Sequence, residues 1–256
     1  MFSKAIVRPP GANFAAGLTT VDLGVPDLER ALKQHEAYCQ TLESCGLKLI
    51  RLAPDEALPD STFVEDTAIL TSRGAVITRP GAPSRLHETR QIGPLIQEYF
   101  ATVHSIENPG AVDGGDICEA GDHFFIGVSR RTNEHGAEQL ARHLDSFGYS
   151  SSLIDIRGVS NILHLKSGLA WLGGQQLVLI EALRGFKEFS GYDVICLDGS
   201  EDYAANCLEI NGKVLIAGGF PSASRELEHR GYQTIALDMS EFQKMDGGLS
   251  CLSLRF

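Results

Sequence analysis

Cys251 lies five residues before the C-terminal Phe256, between a glycine pair and a short alternating apolar run in "KMDGGLSCLSLRF". A thiol paired with an imidazole is the set that nucleophilic catalysis requires: the thiolate attacks an electrophilic carbon and the imidazole protonates the departing group. His164, in "LHLKS", stands level with Cys251 when the internal repeats of the chain are aligned. The same alignment brings Asp66, Asp116 and Asn206 to equivalent places, with intervals of roughly 42 to 50 residues between successive members. In a ring of like modules such positions converge on the axis, whereas each residue taken alone is equally a polar strand end. The "DGG" before Cys251 reads as a tight, adaptable loop in which backbone can approach a ligand closely.

The carboxylates narrow the chemistry. "PDSTFVED" carries Asp60, Glu65 and Asp66, and "AVDGGD" carries Asp113 and Asp116. Several carboxylates beside a nucleophile disfavour an oxyanion, which argues against peptide hydrolysis. They suit a guanidinium, whose planar N–H forks pair with carboxylates in bidentate fashion. Any one of these acids could instead cap a turn or stay solvated.

The elements that must position these residues repeat. "EDTAILTSRGAVITRPG" is a β-hairpin, followed by a polar helical stretch up to Phe100 and the strand "TVHSI". "GDICEAGDHFFIGVSR" repeats the hairpin, and a helix follows with Thr132 as candidate N-cap, an apolar face of Ala137, Leu140, Ala141 and Leu144, and Gly148 at its end. Two further copies begin at "HLKSGLAWLGGQQLVLI", with a helix near 182 to 190, and at "NCLEINGKVLIAGG", with a helix from Ser222 to Arg230. The fifth copy is split: "SCLSLRF" supplies its first strand, "KAIVRPPG" its second, and a helix at 27 to 45 with apolar Leu28, Ala31, Leu32, Tyr38 and Leu42 leads to the strand "LKLIRL". Pairing the two ends closes a ring and removes exposed sheet edges.

Composition sets the outer bounds. The 256 residues, 43% of them hydrophobic, suffice for a sizeable core, and no linker divides the chain, so one catalytic domain over 1–256 is expected. Lys and Arg total 22 against 33 Asp and Glu, and the net charge of −11 argues against nucleic acid or an anionic membrane as partner. The start reads without a secretory leader and no apolar run is long enough to span a bilayer, so a cytoplasmic protein is expected. Six scattered cysteines form no CxxC or Cys/His ligand spacing, so five are read as small buried hydrophobes. Trp171 is expected in the core, and His87, His104, His123, His135, His143 and His229 receive no role.

With "PDSTFVED", "DGGDI", "SRRTN", "LHLKS", "AANC" and "KMDGGLSC" in that order, the chain resembles the dimethylarginine dimethylaminohydrolases, of the guanidine-modifying, amidinotransferase-related superfamily, over essentially its whole length. The resemblance implies an α/β fold, a five-bladed propeller of ββαβ modules with pseudo-fivefold symmetry. It implies Cys251 as nucleophile, His164 as general acid and base, and Asp113 as the carboxylate orienting His164. Asp60, Glu65 and Asp66 would line the guanidinium site, Arg85 and Arg131 would hold the substrate carboxylate, and the backbone carbonyls of Leu18 and Met245 would lie near its α-amino group. "GANFAAGLTT" corresponds to a mobile lid, and Asp116 and Asn206 are left between functional and structural roles.

The reaction so implied converts a free Nω-methylated L-arginine to L-citrulline and an amine through a covalent S-alkylthiouronium, with no metal or organic cofactor. A cationic substrate lowers a neighbouring thiol pKa while the acids oppose this in the empty enzyme, so activation of Cys251 is expected to be substrate-assisted. The alternatives are a deiminase-type hydrolase acting on unmodified arginine or another guanidino compound, and an idle binding protein for arginine derivatives. A homodimer is left open.

Overall fold

The computed structural model describes all 256 residues. β1 (Lys4–Val7), α1 (Leu28–Ser44) and β2 (Lys48–Arg51) come first, then β3 (Ala68–Thr71), β4 (Gly74–Ile77), α2 (Thr89–Gln97) and β5 (Val103–Ser105). The next repeat holds β6 (Ile117–Ala120), β7 (His123–Val128), α3 (Glu134–Ser146) and β8 (Ser150–Asp155). β9 (Leu169–Trp171), β10 (Gln176–Ile180) and β11 (Asp193–Leu197) follow, then β12 (Leu208–Ile210), β13 (Lys213–Ala217), α4 (Pro221–His229) and β14 (Gln233–Leu237). The short α5 (Ser240–Gln243) leads to β15 (Ser253–Arg255).

These strands form five three-stranded sheets, ordered β15-β1-β2, β3-β4-β5, β6-β7-β8, β9-β10-β11 and β12-β13-β14. In each, the middle strand runs antiparallel to the first and parallel to the third. The middle-to-third connection is therefore a crossover, which is why helical material must stand between those two strands. In the split repeat, β1 pairs with β15 in the register Ala5 to Arg255, Ile6 to Leu254 and Val7 to Ser253.

By density of contacts the chain divides into two compact units, Met1–Val64 with Asn206–Phe256, and Glu65–Ala205. The second is built on a core of Ile69, Val76, Ile117, Phe124, Ile126 and Val128 from its strands and Ala137, Leu140 and Leu144 from α3. Asn133, not Thr132, caps α3, accepting the Gly136 N–H. Thr132 is wholly buried and its hydroxyl takes the Asp113 N–H instead, so a hydroxyl that suits a cap has been recruited by the neighbouring turn. The helix expected near 182 to 190 is two separate 3₁₀ turns, Glu181–Leu183 and Lys187–Phe189. Gly185 interrupts a segment too short to nucleate a helix unaided, and Leu183 and Phe189 do the packing. Trp171 is half-buried at the end of β9, its indole donating to the Gly174 carbonyl, and so is not a core residue.

In the first unit α1 buries Ala31, Gln34, His35, Tyr38, Cys39 and Leu42. Leu32 is 40% exposed, because a residue about 100° around from Ala31 falls outside the stripe through positions 31, 35, 38 and 42. His35 was not singled out by the sequence; its Nδ1 lies 3.6 Å from Cys39 Sγ and its Nε2 has no hydrogen-bond partner. Burial, with Arg51 adding to it, holds this imidazole down to about 4. The folded pKa lies below the unfolded value, so the neutral ring stabilises the fold fully above pH 6.5 and this contribution is lost as pH falls towards 4. Urea denaturation of the wild type and of His35→Leu across that window should show the wild type alone losing on the order of 3 kcal/mol from this source; parallel pH profiles would refute it.

Candidate active site

Each sheet's first strand is entered through a tight turn, and these turns carry the five aligned polar residues. Asp66 lies in the turn before β3, Asp116 ends Gly114–Asp116 before β6, and His164 opens Leu165–Ser167 before β9. Asn206 precedes β12, and Cys251 is the centre of Ser250–Leu252 before β15. A common hydrogen-bond pattern links successive turns. Asp66 Oδ1 accepts the Gly115 N–H at 2.8 Å, Asp116 Oδ1 the Leu165 N–H at 3.0 Å, and Asn206 Oδ1 the Ser250 N–H at 3.0 Å. Asp116 and Asn206 thus satisfy buried backbone donors that would otherwise be orphaned.

In the Glu65–Ala205 unit, His164 Nε2 lies 3.0 Å from Asp113 Oδ2. Asp113 is itself fixed, its Oδ1 accepting the Gly81 N–H at 2.7 Å. Both glycines of "DGGD" are needed by close packing. A Cβ on Gly114 would sit 2.0 Å from the Glu65 carbonyl oxygen, and one on Gly115 would sit 2.6 Å from Nδ1 of His164. Burial alone would lower the His164 pKa, but Asp66, Asp116 and Asp113 outweigh it and raise the ring to about 9. The imidazole is therefore an imidazolium at neutral pH, a group able to give a proton.

Arg85 is buried and committed. Its Nε and Nη2 donate to the two oxygens of Glu88 at 3.0 and 2.8 Å, and Nη1 donates to Asp66 Oδ2 at 2.6 Å. Burial pushes the Asp66 carboxyl up, but Arg85, His164 and the Gly115 N–H more than reverse this and hold it well below the usual carboxylate range. Arg131 is different: it is half-buried, its N–H donates to Ser129 Oγ, and its guanidinium makes no ion pair within the chain. Glu65 is paired with Lys166 Nζ at 2.6 Å. Asp66, Asp113 and His164 offer three ligand atoms within 4.8 Å of one another. Each carboxylate of the three already has a partner within the chain, Asp66 the Arg85 guanidinium and Asp113 the His164 ring.

In the other unit, Cys251 Sγ accepts the Gly248 N–H at 3.4 Å, and the thiol is half-exposed. Its turn is clamped, since Asn206 Nδ2 also donates to Ser250 Oγ at 3.0 Å. The glycine pair is tightly packed, not adaptable: a Cβ on Gly247 would meet the Phe63 ring at 2.3 Å and one on Gly248 the Asn206 Oδ1 at 2.4 Å. The close approach foreseen for a ligand is made by the protein's own side chains. Asp60 Oδ1 accepts the Leu18 N–H at 2.9 Å, and the buried Met245 stands near Gly17, so Leu18, Asp60 and Met245 do gather. Thr19 and Thr20 tie the rest of this segment down, Thr19 Oγ1 donating to the Lys244 carbonyl and Thr20 Oγ1 to Asp246 Oδ1.

The remaining cysteines are unsuited to attack. Burial pushes the Cys39 and Cys118 thiols up to about 12, and Cys45 and Cys207 are also buried. Cys196 is the exception to the expected burial. Half-exposed, it donates to Glu181 Oε2 at 2.9 Å, and burial together with that carboxylate raises it to about 11. Sequence reasoning missed the partners Glu88, Lys166 and Ser129; of these only Glu88, three residues after Arg85, had a local spacing that could signal pairing.

The chain thus repeats a three-stranded sheet entered through a polar turn, with an imidazole–carboxylate pair in one unit and a clamped thiol in the other. The family profile described as arginine deiminase matches residues 56–184. A Pseudomonas aeruginosa N(G),N(G)-dimethylarginine dimethylaminohydrolase is 43% identical over 100% of both chains, and a Streptomyces coelicolor protein of the same name is 32% identical over 98% of this chain and 96% of its own. The solved structure of the Pseudomonas aeruginosa protein, a cysteine-to-serine mutant complexed with citrulline, superposes with TM-score 0.97 over 100% of both chains. This chain belongs to the dimethylarginine dimethylaminohydrolase family.

Proposed function

We propose that the protein hydrolyses free Nω-methylated L-arginine to L-citrulline and methylamine or dimethylamine. The observation that carries this reading is the imidazolium of His164 held by Asp113, in a chain related end to end to a dimethylarginine dimethylaminohydrolase. The bound guanidinium lowers the Cys251 pKa, the thiol gives its proton to solvent, and the thiolate sulfur attacks the central guanidinium carbon, giving a tetrahedral adduct. His164 then gives its proton to the departing amine, leaving an S-alkylthiouronium. Water, losing a proton to His164, adds to that carbon, and the second collapse breaks the C–S bond, returning the thiol and releasing citrulline. Asp66, Asp60 and Glu65 face the guanidinium. The unpaired guanidinium of Arg131 takes the substrate carboxylate, with Arg85 beside it, and the carbonyls of Leu18 and Met245 receive the α-amino group.

The five like sheets, and the pairing of β15 with β1, support a five-bladed α/β propeller closed at its termini and spanning 1–256 as one catalytic domain. No helix is long and apolar enough to cross a membrane, and we place the protein in the cytoplasm, where a homodimer is compatible with the reading. Hydrolysis of unmodified arginine is the second reading, favoured by the arginine deiminase profile. Incubation with asymmetric dimethylarginine, monomethylarginine, arginine and agmatine in turn decides between them. Citrulline from the methylated substrates alone is expected, citrulline from arginine alone would reverse the order, and no product from any would sink the enzyme reading.

A further inference from the structure

We propose that Asp116 is a positioning residue that sets both His164 and the Arg131 turn from one buried carboxylate, without touching substrate. The inference rests on the roles given above to His164 and Arg131. Asp116 Oδ1 accepts the N–H of Leu165, the residue after His164, and Oδ2 accepts the Ser129 hydroxyl at 2.7 Å. With its proton so committed, Ser129 Oγ uses its two lone pairs on the N–H groups of Arg131 at 2.9 Å and Thr132 at 3.0 Å, which fills the hydroxyl's capacity. Thr132 Oγ1 takes the Asp113 N–H at 3.1 Å, and Asp113 holds His164. The bonds therefore form a closed circuit: Asp116, Ser129, Thr132, Asp113, His164, Leu165 and back to Asp116.

Asp116, Asp113 and Thr132 are wholly buried, so a break in the circuit finds no water to replace the lost partner. β7 passes close as well, since a Cβ on Gly127 would lie 3.1 Å from Asp116 Oδ1. Asp116 also acts on His164 through charge. The groups bearing on His164 are Asp66, Asp116 and Asp113, and those bearing on Asp116 are His164, Asp113 and the hydroxyls of Ser129 and Thr132. Burial raises the Asp116 carboxyl to about 6 against the pull of His164 and those hydroxyls, so it is ionised at neutral pH and helps keep the ring protonated.

Asp116→Asn separates this role from a merely structural one. The amide has a single oxygen, so it cannot serve both the Leu165 N–H and the Ser129 hydroxyl, and it removes a negative charge from His164. With asymmetric dimethylarginine as substrate, kcat/KM should fall at least about tenfold, and the alkaline limb, expected in the wild type where His164 loses its proton at about 9, should move down by roughly one pH unit. Ser129→Ala keeps the carboxylate beside His164 but releases the Arg131 and Thr132 N–H groups, so it should raise KM several-fold and move the limb less than Asp116→Asn does. An Asp116→Asn protein with the wild-type melting temperature, KM and limb would overturn the proposal; if that variant does not fold, an unchanged KM in Ser129→Ala overturns it. Should the wild type show no turnover, the functional reading fails separately, and histidine NMR still decides this one. An unchanged His164 titration in Asp116→Asn would count against the proposal, and a lowered one supports it.

Discussion

Cys251→Ser should lose at least about 10⁴-fold in turnover while the folded protein still binds methylated arginine. A serine hydroxyl, far too weak an acid to ionise there, is a much poorer nucleophile than a thiol whose pKa is lowered by the bound cation. The substitution leaves the clamp intact, because the Asn206 bonds run to Ser250 and the Gly248 N–H can donate to oxygen as to sulfur. A loss of activity with an unchanged melting temperature therefore isolates the chemistry. Calorimetric titration with asymmetric dimethylarginine reads binding, and mass spectrometry after acid quench reads the adduct, expected in the wild type and absent from the variant. Turnover surviving in the variant would remove the covalent mechanism, and the other cysteines are poorly suited to take over: Cys39, Cys45, Cys118 and Cys207 are buried, and the Cys196 thiol is raised to about 11.

The turns that carry Asp66, Asp116, His164, Asn206 and Cys251 were legible because the alternation of the strands after them is a local, period-two signal repeated five times. The pairing of the termini was legible for the same reason: the repeat that begins at "KAIVRPPG" lacks its first strand, and "SCLSLRF" alternates as that strand does. What was not legible depends on partners distant in sequence. Asp116 and Asn206 read as either chemistry or scaffold until the Leu165 and Ser250 N–H groups were found on them. Arg85 has a residue type suited to a substrate carboxylate, yet it is spanned by Glu88 and Asp66, whereas Arg131, of the same type, is unpaired. Thr132 and Asn133 are both N-cap types, and the Thr132 hydroxyl is withdrawn from that role by the Asp113 N–H. Residue type fixes what a group can do, and tertiary packing fixes which group is left free to do it.

That logic gives the closing strand its weight, and deletion of Ser253–Phe256 should cost both the fold and the activity, although those residues do no chemistry. β1 is the central strand of its sheet and would become an edge. Ser3 and Lys4 would lose the Phe256 carbonyl, Tyr38 its 2.6 Å bond to Ser253 Oγ, and the core the buried Leu254. One buried leucine contributes about 2 kcal/mol and each hydrogen bond about 1 kcal/mol, so the loss is about 5 kcal/mol, comparable with the whole stability of many domains. The thiol's turn suffers directly as well. Arg255 folds back so that Nη1 donates to the Ser250 carbonyl at 3.2 Å and to the Ser253 carbonyl at 2.9 Å, a second brace on the turn that Asn206 also holds. Arg255→Ala separates the two effects: the strand remains, so the melting temperature should fall by a few degrees at most, while kcat falls several-fold as the turn loosens. A truncated chain that melted and turned over like the full one would mean that the terminus holds neither the sheet nor Cys251, and the thiol's precision would have to come from Asn206 alone.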